Sequence, residues 1–216
     1  MIKHPEKSLE VHPEVPPEGS PERSPAARAL MSVARRRRSF GLDKISSEPV
    51  GREQIEFVLE AARWAPNHGG TEPWRFAVFT GQARAQLGDA FAEAYQQFTP
   101  GDAFKPLNQA AQRDKVWKAP VWIGLGVQFS GRPNVSDLEE VMAVACATQN
   151  MMLAATSLGL ASKWSSGLVN THPSLAPLLG LKAPNRVLGF LHLGYPSVRW
   201  PDGKRGLAEK NVTWFE

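Results

Sequence analysis

Two short segments of this 216-residue chain carry side chains whose types and spacing could bind or position a reactive group. The first is Arg37–Arg38–Ser39–Phe40, which closes the run Arg35–Arg36–Arg37–Arg38. Paired guanidiniums with a hydroxyl beside them suit a phosphate or an electron-rich ring edge, because the planar fork of arginine donates in parallel to paired oxygens. The same run would also serve as a solvated basic face or a nucleic-acid patch. The second segment is Ala65–Pro66–Asn67–His68–Gly69–Gly70–Thr71–Glu72–Pro73–Trp74–Arg75–Phe76. It joins a helix stop, a Gly-Gly turn, a histidine and a Pro-Trp pair. Glycine lets backbone approach a ligand closely, so the imidazole and nearby amides could donate to carbonyl or phosphate oxygens. An ordinary helix-to-strand loop with a hydrogen-bonded histidine has the same sequence.

Other chemistries have no visible constellation. No Ser-His-Asp set, metal cluster or carboxylate pair is evident. His4 and His12 lie in the N-terminal stretch, while His172 and His192 have no clustered partners, and His192 is expected to be a satisfied core or interface histidine. Gly124 and Gly126 sit in an apolar run without the third glycine and following helix of a dinucleotide fingerprint, so a Rossmann nicotinamide site is not expected. The single cysteine, Cys146, lies in the apolar run Val141–Ala147 and reads as a buried, inert thiol, which fits a reducing cytoplasm. Most of the seven tryptophans should pack in the core or an interface; Trp64 and Trp164 border segments with potential chemistry.

The elements that must position these segments follow from periodicity. A short helix over Ala26–Arg36 leads into the arginines, and a second over Arg52–Trp64 puts Ile55, Val58, Leu59 and Ala62 on one face. Pro66 ends it. The loop Asn67–Pro73 then gives way to a strand over Trp74–Thr80. A helix over Gln82–Gln97, a mobile excursion over Phe98–Pro106 and a helix over Gln109–Trp117 follow. Val121–Phe129 reads as a buried strand. Leu138–Leu158 is the longest helix and apolar nearly all round, which marks it as central. Strands over Ala161–Trp164 and Val187–Leu193 flank a short helix near Ser174–Leu179, and Val212–Phe215 could add an edge strand. Unequal helices between strands indicate an α+β layout.

Composition bounds the rest. Hydrophobic residues make up 42% and charged residues 21%, which is ordinary globular usage and enough for one domain with a sizeable core. The formal net charge of +4 is modest and suits an anionic small molecule as well as nucleic acid. Residues 1–25, rich in proline and poor in bulky apolar side chains, should be disordered or peripheral, leaving a folded domain over 26–216; Met31 could be an alternative start. The N-terminus does not look like a secretory signal. The polar residues within Val141–Ala161 argue against a lipid-spanning helix, so a soluble, cytoplasmic protein without a membrane partner is expected.

Taken in order, Arg37–Arg38–Ser39, Ala65–Pro66–Asn67–His68 and Pro73–Trp74–Arg75–Phe76 resemble the FMN-dependent nitroreductase family, above all its short bacterial NAD(P)H subgroup with an Ala-Pro-(Asn/Asp)-His loop. Lys118–Ala119–Pro120, Leu158–Gly159–Leu160–Ala161, Lys163–Trp164–Ser165–Ser166–Gly167 and Gly189–Phe190–Leu191–His192–Leu193–Gly194–Tyr195–Pro196 extend the likeness over roughly 34–216. The resemblance implies a central, mostly antiparallel sheet flanked by helices, with the long helix at a homodimer interface and FMN bound between the subunits. It implies that Arg37, Arg38 and Ser39 reach FMN held mainly by the other subunit. Trp64, His68, Trp164, Ser165 and Ser166 would contact the flavin, and a backbone N–H of the last three would face N5. Lys204 and Arg205 lie near a basic site of longer relatives. Ala154, Ala155, Thr156, Ser157, Leu158 and Gly159 match a stretch associated with NADH or NADPH, although a buried helix end accounts for them equally well.

The implied activity is ping-pong hydride transfer from NAD(P)H through flavin N5 to a nitroaromatic, quinone or similar small electrophilic acceptor. The alternatives are a degenerate flavin-binding sensor or structural protein and a basic nucleic-acid-binding domain; no nucleic-acid partner is expected. Trp64 and Ser165 stand where relatives carry arginine, and Glu72 where glutamine is usual, which touches substrate identity more than flavin binding.

Overall fold

A computed structural model describes residues 24–216. The expectation for residues 1–25 therefore falls almost wholly outside the described part. The chain divides into two compact units, residues 1–35 and 36–216, and the sheet with its flanking helices lies in the second. The first helix, α1 (Pro25–Arg36), starts with proline in its first turn, where a missing N–H costs nothing, and the Ser24 carbonyl accepts from Arg28 N at 3.0 Å.

The centre is a four-stranded, fully antiparallel sheet: β1 (Trp74–Thr80), β2 (Val121–Val127), β3 (Ala161–Ser165) and β4 (Arg186–Gly194), in the order β1-β2-β4-β3. β2 is buried along its whole length, as an inner strand must be when both sheet faces are covered. Its alternating residues serve two cores. Val121, Ile123, Leu125 and Val127 join α2 (Arg52–Arg63) and α5 (Asp137–Ser157) through Val58, Ala62, Val144 and Met151. Trp122 faces the other way, into Phe40, Phe91 of α3 (Arg84–Phe98), Leu175 and Phe190. Truncating a fully buried member such as Leu191 to alanine would cost about 2–5 kcal/mol. Gly124 and Gly126 are seats for leucine: a Cβ at 126 would lie 2.7 Å from Leu181 Cδ1. Their spacing answers to packing against Leu179 and Leu181.

Helix α5 is fixed at its start by a capping box, in which Ser136 Oγ accepts from Glu139 N at 3.3 Å and Glu139 Oε2 accepts from Ser136 N at 2.8 Å. Acidic Asp137, Glu139 and Glu140 in its first turn complement the helix dipole. Asn150 Nδ2 donates to Ala61 O at 3.1 Å and ties α5 to α2.

Several expectations change. The helix placed at Gln109–Trp117 is α4, Pro106–Asp114, because Pro106 pre-sets the first helical residue; Lys115–Lys118 tightens into a 3-10 turn. Val212–Phe215 forms no strand, and Trp214 and Phe215 are 80% and 93% exposed. Cys146 is exposed, not buried. Among the described residues helix α5 packs on one side only, and spacing by four places Leu138, Met142 and Cys146 on its outward stripe.

Candidate functional site

The arginine segment is held by both ends of the sheet's outer half. Phe40 N donates to Ser162 O of β3 at 3.0 Å, with Ser39 bridged to Ser162, and the buried His192 of β4 bonds the Phe40 carbonyl at 3.1 Å. Burial pushes His192 down to about 4, so Nε2 is the donor of a neutral ring. From the C-terminal side, Trp200 Nε1 donates to Arg36 O at 2.7 Å, its ring lies under the Arg36 guanidinium, and it meets Phe40 edge-on. The chain after Trp200 then runs against Arg38: a Cβ at Gly203 would overlap its guanidinium.

The result is a gathering of cations. Burial first, then the charges of Arg205 and Arg38, hold the Arg37 guanidinium below its usual range. Arg37, expected at a phosphate site, thus feels the charge of Arg205 from far along the chain as well as that of its neighbour Arg38. Lys204, its neighbour, offers its carbonyl to Arg205 Nη1 at 2.8 Å. Like charges so placed are costly alone and favourable around an anion.

The second segment closes a tight loop. Gly69 and Gly70 have φ of 65° and 61°, and Glu72, without glycine's freedom, has φ of 44°. Asn67 Oδ1 holds that turn by accepting from Glu72 N at 3.0 Å, and Arg132 Nη1 donates to Gly69 O. His68 stands outward with Nδ1 2.8 Å from Glu139 Oε1. Bonds from Ser136 and then His68 draw the Glu139 carboxyl down to about 2. Trp64 is 79% exposed, and its indole donates to Glu60 Oε1 at 3.0 Å. A large aromatic ring left this open invites a partner.

Strand β3 delivers the third set. Trp164 is half-buried with Nε1 donating to Leu188 O at 2.9 Å. A Cβ at Gly189, where φ is 119°, would lie 2.3 Å from Ser165 O, so the two backbones touch. Ser166 and Gly167 are exposed, and Asn170 N donates to Gly167 O at 2.7 Å.

At the end of α5, Ala154, Ala155 and Thr156 are buried, Thr156 Oγ1 back-bonds to Met152 O at 2.8 Å, and Gly159 turns the chain with φ of 74°. Buried-helix packing accounts for those three. Ser157 is exposed, with Leu158 and Gly159 half-buried. Sequence reasoning missed Glu139, Asn170 and Gly189; the Ser-x-x-Glu capping pattern at 136–139 was the one available signal. Among the described residues no group of three or more His, Cys, Asp or Glu could hold a metal, and no helix is long and apolar enough to cross a membrane.

An antiparallel sheet buried between helices, with the arginine segment bridged to its β3 edge and the glycine turn leading into the opposite edge strand β1, defines an α+β protein. The chain belongs to the Nitroreductase family, whose sequence pattern matches residues 34–195. YdjA of Escherichia coli K12 is 29% identical over 153 residues, covering 70% of this chain and 80% of that one. A nitroreductase-like family protein of Bacillus cereus has the same fold in its crystal structure, with a TM-score of 0.72 and 28% identity over 87% of this chain and 96% of that one. The FMN-dependent nitroreductase NfnB of Mycobacterium smegmatis, solved with NADPH, shares the fold with a TM-score of 0.66 and 20% identity, over 88% of this chain and all of its own. The chain is an enzyme of nitroreductase type.

Proposed function

We propose that this protein is a homodimeric, FMN-dependent NAD(P)H oxidoreductase acting on nitroaromatics, quinones or similar small electrophiles. One observation carries the reading: Arg205, remote in sequence, lies near enough for its charge to act on Arg37 beside that of Arg38, and Arg37 is partly desolvated there. A doubly anionic phosphate fits that cluster. When bound, FMN supplies hydride transfer between a nicotinamide and the acceptor.

The chain's own residues do the remaining work. Arg37, Arg38, Ser39 and Arg205, with Lys204 beside them, neutralise and orient the phosphate end. The Trp164–Ser165–Ser166 backbone, clamped against Gly189, presents N–H groups to the ring edge without later rearrangement. His68, fixed through Nδ1 by Glu139, offers Nε2 to the cofactor or acceptor. Trp64 supplies an aromatic wall. The outward stripe of α5 with Leu138 and Met142, 64% and 50% exposed, is the face that a second copy would cover. The domain spans 26–216.

Purified full-length protein should be yellow and hold one FMN per chain, and its flavin should bleach with NADH or NADPH in anaerobic stopped flow and recover colour with a nitroaromatic or quinone. Colourless protein that cannot be reconstituted with FMN overturns the reading. Flavin that binds but is not reduced by either nucleotide points to the sensor or structural alternative.

A further inference from the structure

Lys115 begins the 3-10 turn after α4, on the sheet face opposite α5. It is half-buried, and its ammonium has two hydrogen-bond partners and an aromatic face beside it. Nζ donates to Gln112 Oε1 at 2.7 Å and to Asn170 Oδ1 at 2.8 Å, and it lies 3.8 Å from the centre of the Phe91 ring. Two of its three donors are thus placed on side-chain carbonyls, and the ring face attracts the charge. Burial lowers the amine to about 8, which still leaves it charged at neutral pH. The nearby His192 is neutral, so the lysine faces no second charge from β4.

What Lys115 grips is significant. Asn170 N and Thr171 N both donate to Gly167 O, at 2.7 and 3.2 Å. A Cβ at Gly167 would come within 3.8 Å of Asn170 Nδ2, so the asparagine holds this peptide with backbone and lies against it with side chain. Beside Ser165 and Gly167 lies an open hollow of about 330 Å³, bordered by Leu42, Trp122 and Leu168 and crossed by the Lys115–Asn170 pair, which also lines it. Apolar packing therefore does not back the turn on this side. On the β4 side Gly189 touches Ser165 O. The turn is held at Ser165 by contact with β4 and at Gly167 by the Asn170 and Thr171 amides, and Lys115 braces the Asn170 side chain behind that second point.

We propose that Lys115 is a positioning residue that fixes, through Asn170, the backbone of Ser165–Ser166–Gly167 against the flavin edge. This rests on the flavin reading given above. The lysine touches neither cofactor nor acceptor. Its work is to stop the segment from sagging into the hollow, since a displacement of about 1 Å in a group aligned with the reacting atoms can cost up to about 100-fold in rate.

The test compares wild type with Lys115→Met, Lys115→Arg and Asn170→Ala in the full chain, with and without FMN. The first readout is hydrogen exchange at the Asn170 and Thr171 amides. Lys115→Met should speed it about tenfold while β2 and β4 amides keep wild-type protection. The second is flavin reduction by whichever nucleotide the wild type uses. Its rate constant should fall about tenfold, with KM and FMN affinity little changed. Lys115→Arg should restore part of both, and Asn170→Ala should reproduce the loss. If Lys115→Met does not fold, Asn170→Ala decides, because it leaves the lysine with Gln112 and Phe91. Wild-type exchange, or wild-type reduction, in folded variants overturns the role of Lys115 while FMN binding by the parent upholds the flavin reading. A parent that takes up no FMN overturns both.

Discussion

His192 Nε2 lies 3.1 Å from the carbonyl oxygen of Phe40, so a β4 side chain holds the backbone that follows Arg37–Arg38–Ser39. Burial keeps the ring neutral, with its pKa at about 4 against an ordinary 6.5; the Phe40 bond pulls the other way and loses. Between those values the unfolded chain binds a proton that the folded chain refuses. Stability contributed here is full above about pH 6.5 and falls as acid approaches pH 4, by at most about 3 kcal/mol. Urea unfolding across that window should show the slope in wild type and a flatter profile in His192→Gln. Equal slopes would mean that other groups dominate.

Replacing Arg37 or Arg38 by alanine should raise the FMN dissociation constant by about 10- to 100-fold, the worth of one charge-assisted bond. The melting temperature of the apo protein should move little. Flavin fluorescence titration measures the first and calorimetry the second. Unchanged affinity would place the phosphate elsewhere.

Trp64 makes one bond, to a residue of its own helix, and is otherwise open. Trp64→Ala should therefore change stability by no more than about 0.5 kcal/mol. Flavin retention or self-association should weaken, as read by gel filtration with absorbance detection. If neither changes, Trp64 has no part in the site.

At Gly189 a methyl group would strike Ser165 O while the backbone holds φ at 119°. The strain alone should cost about 1–3 kcal/mol. Gly189→Ala should unfold at lower urea and should broaden the visible flavin bands more than a core truncation of similar cost, such as Leu191→Ala. A normal spectrum would show that Ser165 does not sense the ring.

Ser136→Ala removes one half of the α5 capping box and should destabilise the protein by about 1 kcal/mol. It also frees one of the groups that hold Glu139 beside His68. The acceptor KM should rise more than the KM for nucleotide. A shift in stability with no change in either KM would confine Ser136 to the fold.

Much of the architecture was legible because it is written in local signals. The Trp74–Thr80 strand follows a Pro-Trp opening, and the long apolar helix was placed within a residue of its observed ends. What was illegible depends on which side of an element meets another. An all-round apolar helix does not reveal which stripe stays uncovered, so Cys146 was misread. Val212–Phe215 has strand-like residues, yet finds no strand to pair with in its own chain. Glu139 beside His68, Arg205 beside Arg37 and Asn170 under Lys115 are products of folding topology, since each pair joins segments far apart in sequence. Residue types alone suggested the arginines and the histidine, whereas the groups that aim them came only with the fold.

The outward thiol at position 146 gives this molecule a built-in reporter. With no other cysteine in the chain, a colorimetric thiol reagent reads one site against zero background. A single copy leaves it open to attack; the pairing along α5 proposed above would shield it. Labelling speed measured over a dilution series therefore doubles as an association curve, obtained without a tag, an antibody or any change to the sequence.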